Sequence, residues 1–273
     1  MTWSGSNDYI ASEELLRIVN VAMRLARPLL IKGEPGTGKT LLARSIAEAL
    51  GMPMFTWHVK STTKAKEGLY VYDTVQRLYD SRFQDKDVGD IKQYIRLGPL
   101  GQAFTSPQRA VVLIDEIDKA DLEFPNDLLN ELDAMTFDVA ETRETIRAVH
   151  RPVVVITSNS EKDLPDAFLR RVVFHYIAFP DRELMKKIID VHFPKLDSAL
   201  LTAAMDAFYK TRTIDAVRKK PSTSELVDWI NALLAHGVAP NQLQDELPFI
   251  GTLLKKEQDI EAVQRVQRAK ARG

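Results

Sequence analysis

Five short and almost unbroken apolar runs punctuate the first 180 residues: LLI (29–31), MFTWHV (54–59), AVVLI (110–114), VVVIT (153–157) and VVFHYIAF (172–179). Runs of this length that do not alternate with polar residues read as strands buried on both faces. Helical patterns lie between them. Ser12, followed by Glu13 and Glu14, has the form of an N-cap with acids in the first turn, and predicts a helix to about Leu25 that Pro28 ends. A second helix is predicted from Lys39 to Leu50, stopped by Gly51 and Pro53, and a third over Pro125–Met135. Strands that alternate with helices imply a parallel sheet covered on both faces, an α/β fold. Lys60–Arg109 gives no clean pattern. Its stretch LYVYDTVQRLYDSRF mixes aromatic and helical spacing.

Pro180-Asp181 marks a change, and the chain beyond it reads as wholly helical. In PSTSELVDWINALLAHG, Ser222 and Glu225 form a capping box. Leu226, Trp229, Ile230 and Leu233 make one apolar stripe, and Gly237 ends the helix. Two domains are therefore expected, residues 1–180 and residues 181–273.

Composition narrows the classes of function. The chain has 273 residues with 45% hydrophobic and 27% charged positions, a formal net charge of −1 and no cysteine. No overall basic field recruits nucleic acid, and no thiolate site or disulfide organises the fold. MTWSGSNDYIASEE lacks the layout of a signal peptide, and no apolar run reaches the ~18 residues of a membrane span. A cytoplasmic location is the expectation.

The candidate chemistry begins with GEPGTGKT, where Gly33, Gly38, Lys39 and Thr40 match G-x-x-x-x-G-K-[ST] between a predicted strand and a predicted helix. Glycines let backbone N–H groups curl around phosphates without Cβ clashes, and the helix N-terminus adds partial positive charge. Gly33, Glu34, Pro35, Gly36, Thr37, Gly38, Lys39, Thr40 and Leu41 are the candidate nucleotide contacts. Lys39 can reach the β- and γ-phosphates, and the Thr40 hydroxyl can bind Mg²⁺. A bare glycine turn is the competing interpretation.

AVVLIDEID places Asp115 and Glu116 at the C-terminal end of a buried strand, the edge at which parallel sheets bind ligands. Asp115 suits the Mg²⁺ shell, and Glu116 suits a base that polarises water for in-line attack on a γ-phosphate. Two solvated capping acids are the alternative, and Asp118 and Asp121 are expected to be of that kind. VVVITSN ends in Thr157, Ser158 and Asn159. Asn159 either holds the attacking water or γ-phosphate, or merely turns the chain. Arg170 and Arg171, in LPDAFLRRVVF, either satisfy the end of a short helix or supply an arginine finger to a neighbouring subunit.

The order GEPGTGKT, VVLIDE, VVVITSN, LPDAFLRR, followed by an all-helical end, resembles an AAA+ ATPase. The stretch DYIASEELLRIVNVAMRLARPLLIKGEPGTGKT is similar, more narrowly, to the MoxR-like group. The resemblance covers nearly the whole chain. It implies a P-loop αβα core and a helical lid with ATP and Mg²⁺ as cofactors. It also implies a homo-oligomeric ring, expected to be a hexamer. Lys39, Thr40, Asp115, Glu116 and Asn159 then fall on the Walker A, Walker B and sensor 1 positions. Arg171 falls best on the arginine finger, with Arg170 second. The same likeness places an extra helix-2 insert in Lys60–Arg109 and a hairpin in FDVAETRETIRAVHRP, whose alternation and central ETRET favour a hairpin on their own. By analogy only, Tyr9 and Ile10 line an adenine pocket. One departure concerns the lid arginine common in the family. Ser224 stands about where it is sought, and Arg218, Lys219 and Lys220 lie just before it. The implied activity is ATP-driven remodelling or maturation of a protein partner, for which the group suggests a von Willebrand factor A-domain protein.

His58, His150, His175 and His192 have no metal-ligand spacing and are assigned no role. NSEKD (159–163) misplaces the lysine of a guanine-reading motif, and the basic tail KKEQDIEAVQRVQRAKARG is expected to be an exposed helical end. The rivals to a protein remodeller are a nucleic-acid translocase or loader, a small-molecule phosphotransferase and a non-hydrolysing nucleotide-dependent scaffold.

Overall fold

A computed structural model of the chain describes all residues except 1, 7, 84–86, 160, 244–245 and 272–273, with the side chains of 270 and 271 also outside the description. Ser160 of the NSEKD stretch and the end of the basic tail thus lie outside the described residues. The chain divides into two compact units, one of residues 1–34 and 38–178, the other of residues 35–37 and 179–273.

In the first unit, α1 (Glu13–Leu25) is capped by Ser12, whose side chain accepts from the Leu15 amide. The helix ends because Ala26 turns left-handed and donates back to the Ala22 carbonyl; Pro28 only opens the next strand. The strand β1 (Leu29–Gly33) leads into α2 (Lys39–Leu50) and β2 (Met54–His58). The awkward region after β2 resolves into α3 (Ala65–Leu69), β3 (Tyr70–Tyr72), α4 (Thr74–Phe83), β4 (Ile95–Leu97) and α5 (Pro99–Thr105), with β3 and β4 paired antiparallel. Next come β5 (Val111–Asp115), α6 (Phe124–Asp127) and α7 (Leu129–Ala134). The single helix expected over Pro125–Met135 is therefore two short ones, parted at Leu128. The strands β6 (Thr136–Val139) and β7 (Glu144–Arg147) form the antiparallel hairpin around ETRET. The unit closes with β8 (Val153–Ser158), α8 (Asp166–Leu169) and β9 (Val173–Ile177).

Five strands make one parallel sheet in the order β2-β5-β8-β1-β9. Side chains alternate faces along a strand, so each apolar run feeds two cores. Leu29, Ile31, Val111, Leu113, Val153 and Val155 pack with α1, α2 and the fully enclosed Trp3. Leu30, Val112, Ile114, Val154 and Ile156 pack instead with Trp57, Phe104, Phe124 and Phe168. This double burial explains why the runs in the sequence are continuous rather than alternating.

The helix α4 is inverted relative to an ordinary surface helix. Asp80 is its buried residue and accepts from Tyr94 Oη at 3.1 Å and Gln76 Nε2 at 2.8 Å. Val75, Leu78, Tyr79 and Phe83, at helical spacing, face solvent.

The second unit is helical: α9 (Arg182–His192), α10 (Ser198–Arg212), α11 (Thr223–Ala235), α12 (Ile250–Leu253) and α13 (Glu257–Ala271). Trp229, Ile230, Leu226 and Leu233 of α11 meet Met185, Ile189 and Phe208 in its core. The Trp229 indole donates to the Pro248 carbonyl at 2.6 Å. The capping box forms, with the Ser222 amide donating to Glu225 Oε2 at 2.7 Å. The basic run before it is tied down by Asp259, which accepts from the Arg218 and Lys219 amides.

Candidate active site

The strand order sets the C-terminal ends of β1, β8 and β5 side by side, which brings together three segments that lie far apart along the chain, from Gly33 to Ser158. After β1 the chain turns through residues 34–38. Gly36 and Gly38 have φ of 75° and 84°, a conformation that L side chains rarely adopt. Gly38 is the N-cap of α2 and supplies no side chain, so that helix start offers bare N–H groups and its positive dipole end to an anion. Tyr9 packs on Gly38 from the side, and burial pushes its phenol pKa up.

Lys39 is buried, and its Nζ donates at 2.8 Å to both the Gly33 and the Glu34 carbonyl. Burial lowers its pKa, while Asp118, Asp115 and Glu116 act in the opposite direction. The ammonium is thus folded onto the rim of its own turn, close to where phosphates would lie. The Thr40 hydroxyl donates to Asp115 Oδ1 at 3.1 Å. One hydroxyl beside one carboxylate, with no protein cage of three or more ligands among the described residues, is a fitting donor set for magnesium that is completed by substrate phosphates and water.

Asp115 is held on several sides. Oδ1 also accepts from Thr157 Oγ1 at 2.7 Å, and Oδ2 lies 3.3 Å from His58 Nδ1. Glu116 has φ 60° and ψ 50°, left-handed for a non-glycine residue. Its amide is anchored by the same Thr157 hydroxyl at 2.8 Å. The turned backbone carries the Glu116 carboxylate to Asn159, whose Nδ2 donates to Oε1 at 3.1 Å. Lys119 Nζ lies 2.5 Å from Oε2, and that hydrogen bond raises the lysine pKa. Asp118, expected to be a solvated cap, is buried instead and accepts from the Asn159 and Glu161 amides at 3.4 and 2.8 Å. It fixes the loop that carries Asn159.

Arg170 and Arg171 lie elsewhere. They precede β9, which pairs with the beginning of β1 from Leu29↔Val173, and so belong to the N-terminal edge of the sheet. Arg171 donates through Nε to Asp133 Oδ2 at 2.6 Å and through Nη1 to the Ala167 carbonyl at 2.9 Å. The Arg170 side chain is exposed and has no polar partner among the described residues.

Residues 29–180, more than half of the chain, match the family "ATPase family associated with various cellular activities (AAA)". This chain belongs to the AAA family of ATPases. As an AAA ATPase it is an ATP-hydrolysing enzyme. It is 29% identical over 176 residues to Fidgetin-like protein 1 of Drosophila melanogaster, a match covering 60% of this chain and 28% of that protein. It is 28% identical over 170 residues to ATP-dependent zinc metalloprotease FtsH 3 of Conexibacter woesei, covering 62% and 21%. Lon protease of Finegoldia magna is 29% identical over 183 residues, covering 62% and 21%. The chain spans less than a third of the length of each of these relatives.

In this AAA ATPase the fold gathers Lys39, Thr40, Asp115, Glu116 and Asn159 at one sheet edge and leaves Arg170 and Arg171 at the other. Three residues at the gathered edge had no assigned role in the sequence. His58 meets Asp115 because β2 and β5 pair in the register His58↔Asp115, which requires knowing the strand order. Thr157 was visible as a polar strand end, but its double bond to Asp115 and the Glu116 amide was not. Lys119 carried no signal of its own in the sequence.

Proposed function

We propose that this chain hydrolyses ATP with Mg²⁺ at the C-terminal edge of its sheet, in a homo-oligomeric, hexameric ring of MoxR-like type, and uses the reaction to remodel or mature a protein partner. The observation that carries the hydrolytic part is the hydrogen-bonded chain from Thr40 through Asp115 and Thr157 to the Glu116 amide, with the Glu116 carboxylate in turn held by Asn159; it ties the phosphate turn to a carboxylate suited to general base catalysis.

The turn 33–40 and Leu41 hold the phosphates through backbone N–H groups and Lys39, and Thr40 and Asp115 hold the magnesium. When bound, that ion neutralises charge on the β- and γ-phosphates. Glu116 takes a proton from the water that attacks the γ-phosphorus, and the bond from that phosphorus to the bridging oxygen breaks so that ADP leaves. Asn159, which bonds Glu116 in this structure, orients that carboxylate. Arg171, with Arg170 second, serves the site of a neighbouring copy, since neither reaches Lys39 or Glu116 of its own chain. Steady-state phosphate release from ATP, with no other acceptor present, tests this. It should disappear in Glu116→Gln while fluorescent-nucleotide binding persists. Persistence of turnover in that variant would remove Glu116 from the mechanism.

The inverted helix α4 supports a protein partner. Four apolar side chains on one exposed helix face form the kind of patch that marks protein interaction surfaces. Two of the relatives, FtsH 3 and Lon protease, are named as proteases and so act on proteins, which supports the same reading. A von Willebrand factor A-domain protein is the partner class that the MoxR-like resemblance suggests. Capture of clients by Glu116→Gln in ATP, compared with the same protein bearing Val75→Ser and Phe83→Ser, tests this part; equal capture by both would exclude α4.

A further inference from the structure

The N-terminal edge of the sheet, opposite the phosphate turn, contains a cavity of about 340 Å³. Three guanidinium groups line it, Arg27, Arg151 and Arg171, against a single carboxylate, Asp133. They arrive from separate parts of the chain: Arg27 from the link between α1 and β1, Arg151 from just before β8, Arg171 from just before β9, and Asp133 from α7.

Their bonding is unequal. Asp133 takes the Arg171 guanidinium at 2.6 Å. Arg151 spends its two terminal nitrogens on carbonyls at the end of α7, with Nη2 to Leu132 at 3.2 Å and Nη1 to Asp133 at 3.5 Å. Arg27 is exposed, and its side chain has no polar partner among the described residues. One acid therefore compensates one of three cations in a concave site. A pocket of a few hundred cubic ångströms is in the range that holds small ligands. Guanidinium forks match oxyanions in pairs of parallel hydrogen bonds and are more weakly hydrated than ammonium groups. Among the described residues no aromatic ring lines the cavity to stack a base.

We propose that this cavity is a polyphosphate pocket, in which the Asp133 carboxylate stands where a phosphate group binds and Arg27 and Arg151 act with Arg171 to hold the anion. The polyphosphate has two conceivable sources, an anion free in solution or the nucleotide presented by a second copy of the chain. Only the second source rests on the ring described under Proposed function.

Two experiments on the full chain separate these sources. In the first, sodium tripolyphosphate is titrated into Lys39→Ala protein by calorimetry, so that the phosphate turn is disabled. Binding is expected, weakened about tenfold by adding Arg27→Gln and tightened by adding Asp133→Asn. The sign for Asp133 is diagnostic. A carboxylate that merely holds Arg171 in place predicts weaker binding when it is neutralised. Arg27→Gln is the deciding variant, because Arg151 also supports α7 and its loss threatens folding. In the second experiment, Arg27→Gln protein is mixed with Lys39→Ala protein and ATP hydrolysis is followed. A deficit in Arg27→Gln alone, with recovery in the mixture above both parents, assigns the anion to a neighbouring copy. Tripolyphosphate binding without that deficit assigns it to solution. If tripolyphosphate binding ignores Arg27 and Arg27→Gln hydrolyses ATP like the wild type, the pocket is overturned. Wild-type hydrolysis in the same assay then shows that the ATPase site itself still stands.

Discussion

The two edges of the central sheet handle charge in opposite ways. At the C-terminal edge, Asp115 is bonded by two threonine hydroxyls and faces a histidine, and Glu116 is bonded by an asparagine and a lysine. Each acid there is positioned before any ligand arrives. At the N-terminal edge, Arg170 and Arg27 have no polar partner among the described residues, and Arg171 pairs with the Asp133 carboxylate and the Ala167 carbonyl. The first edge is preorganised and the second is incomplete. A catalytic group must be fixed before the transition state forms, because reorganisation then costs rate.

The largest effect that could break this contrast is expected from Arg171→Ala. Turnover should fall about 10³-fold or more, while nucleotide affinity of the same chain changes little, as measured by phosphate release and fluorescent-nucleotide titration. Unchanged turnover would remove Arg171 from the reaction at a neighbouring copy. Glu116→Gln should lower turnover by about 10²–10⁴-fold, to the edge of detection, with binding intact, the usual range for a general base. A loss of binding equal to the loss of rate would show that Glu116 serves the ligand and not the water.

Thr157→Val sharpens the contrast in stability. It deletes a buried hydroxyl that bonds both Asp115 and the Glu116 amide, so urea unfolding should show a loss of about 1–3 kcal/mol. No loss would mean that the acidic edge is not held as tightly as its distances imply. The smallest effect is expected from Lys119→Met. Both partners of that ion pair are partly exposed, and screening by solvent should leave the urea unfolding midpoint unchanged.

Much of the site was legible because its chemistry is local. GEPGTGKT needs its glycines in consecutive residues, and Asp115 and Glu116 announce themselves at the end of an apolar run. The burial of Asp118 was not legible. Its partners are the amides of Asn159 and Glu161, about forty positions away, and no local pattern encodes them. His58 was set aside for the same reason, since only the β2–β5 register puts it beside Asp115. The split of α6 from α7 was missed because helical periodicity runs unbroken through Leu128.

The sequence by itself determined the parallel α/β architecture, the phosphate turn, the acidic strand end and the helical character of the last ninety or so residues. These follow from periodicity and turn chemistry, which act over a few residues. Tertiary structure alone decided that Thr157 serves two acids, that Asp133 meets Arg171, and that α4 turns its apolar face outward. Those outcomes depend on which strands lie side by side and on which face of each is covered, and such pairings are settled by the packing of the whole sheet.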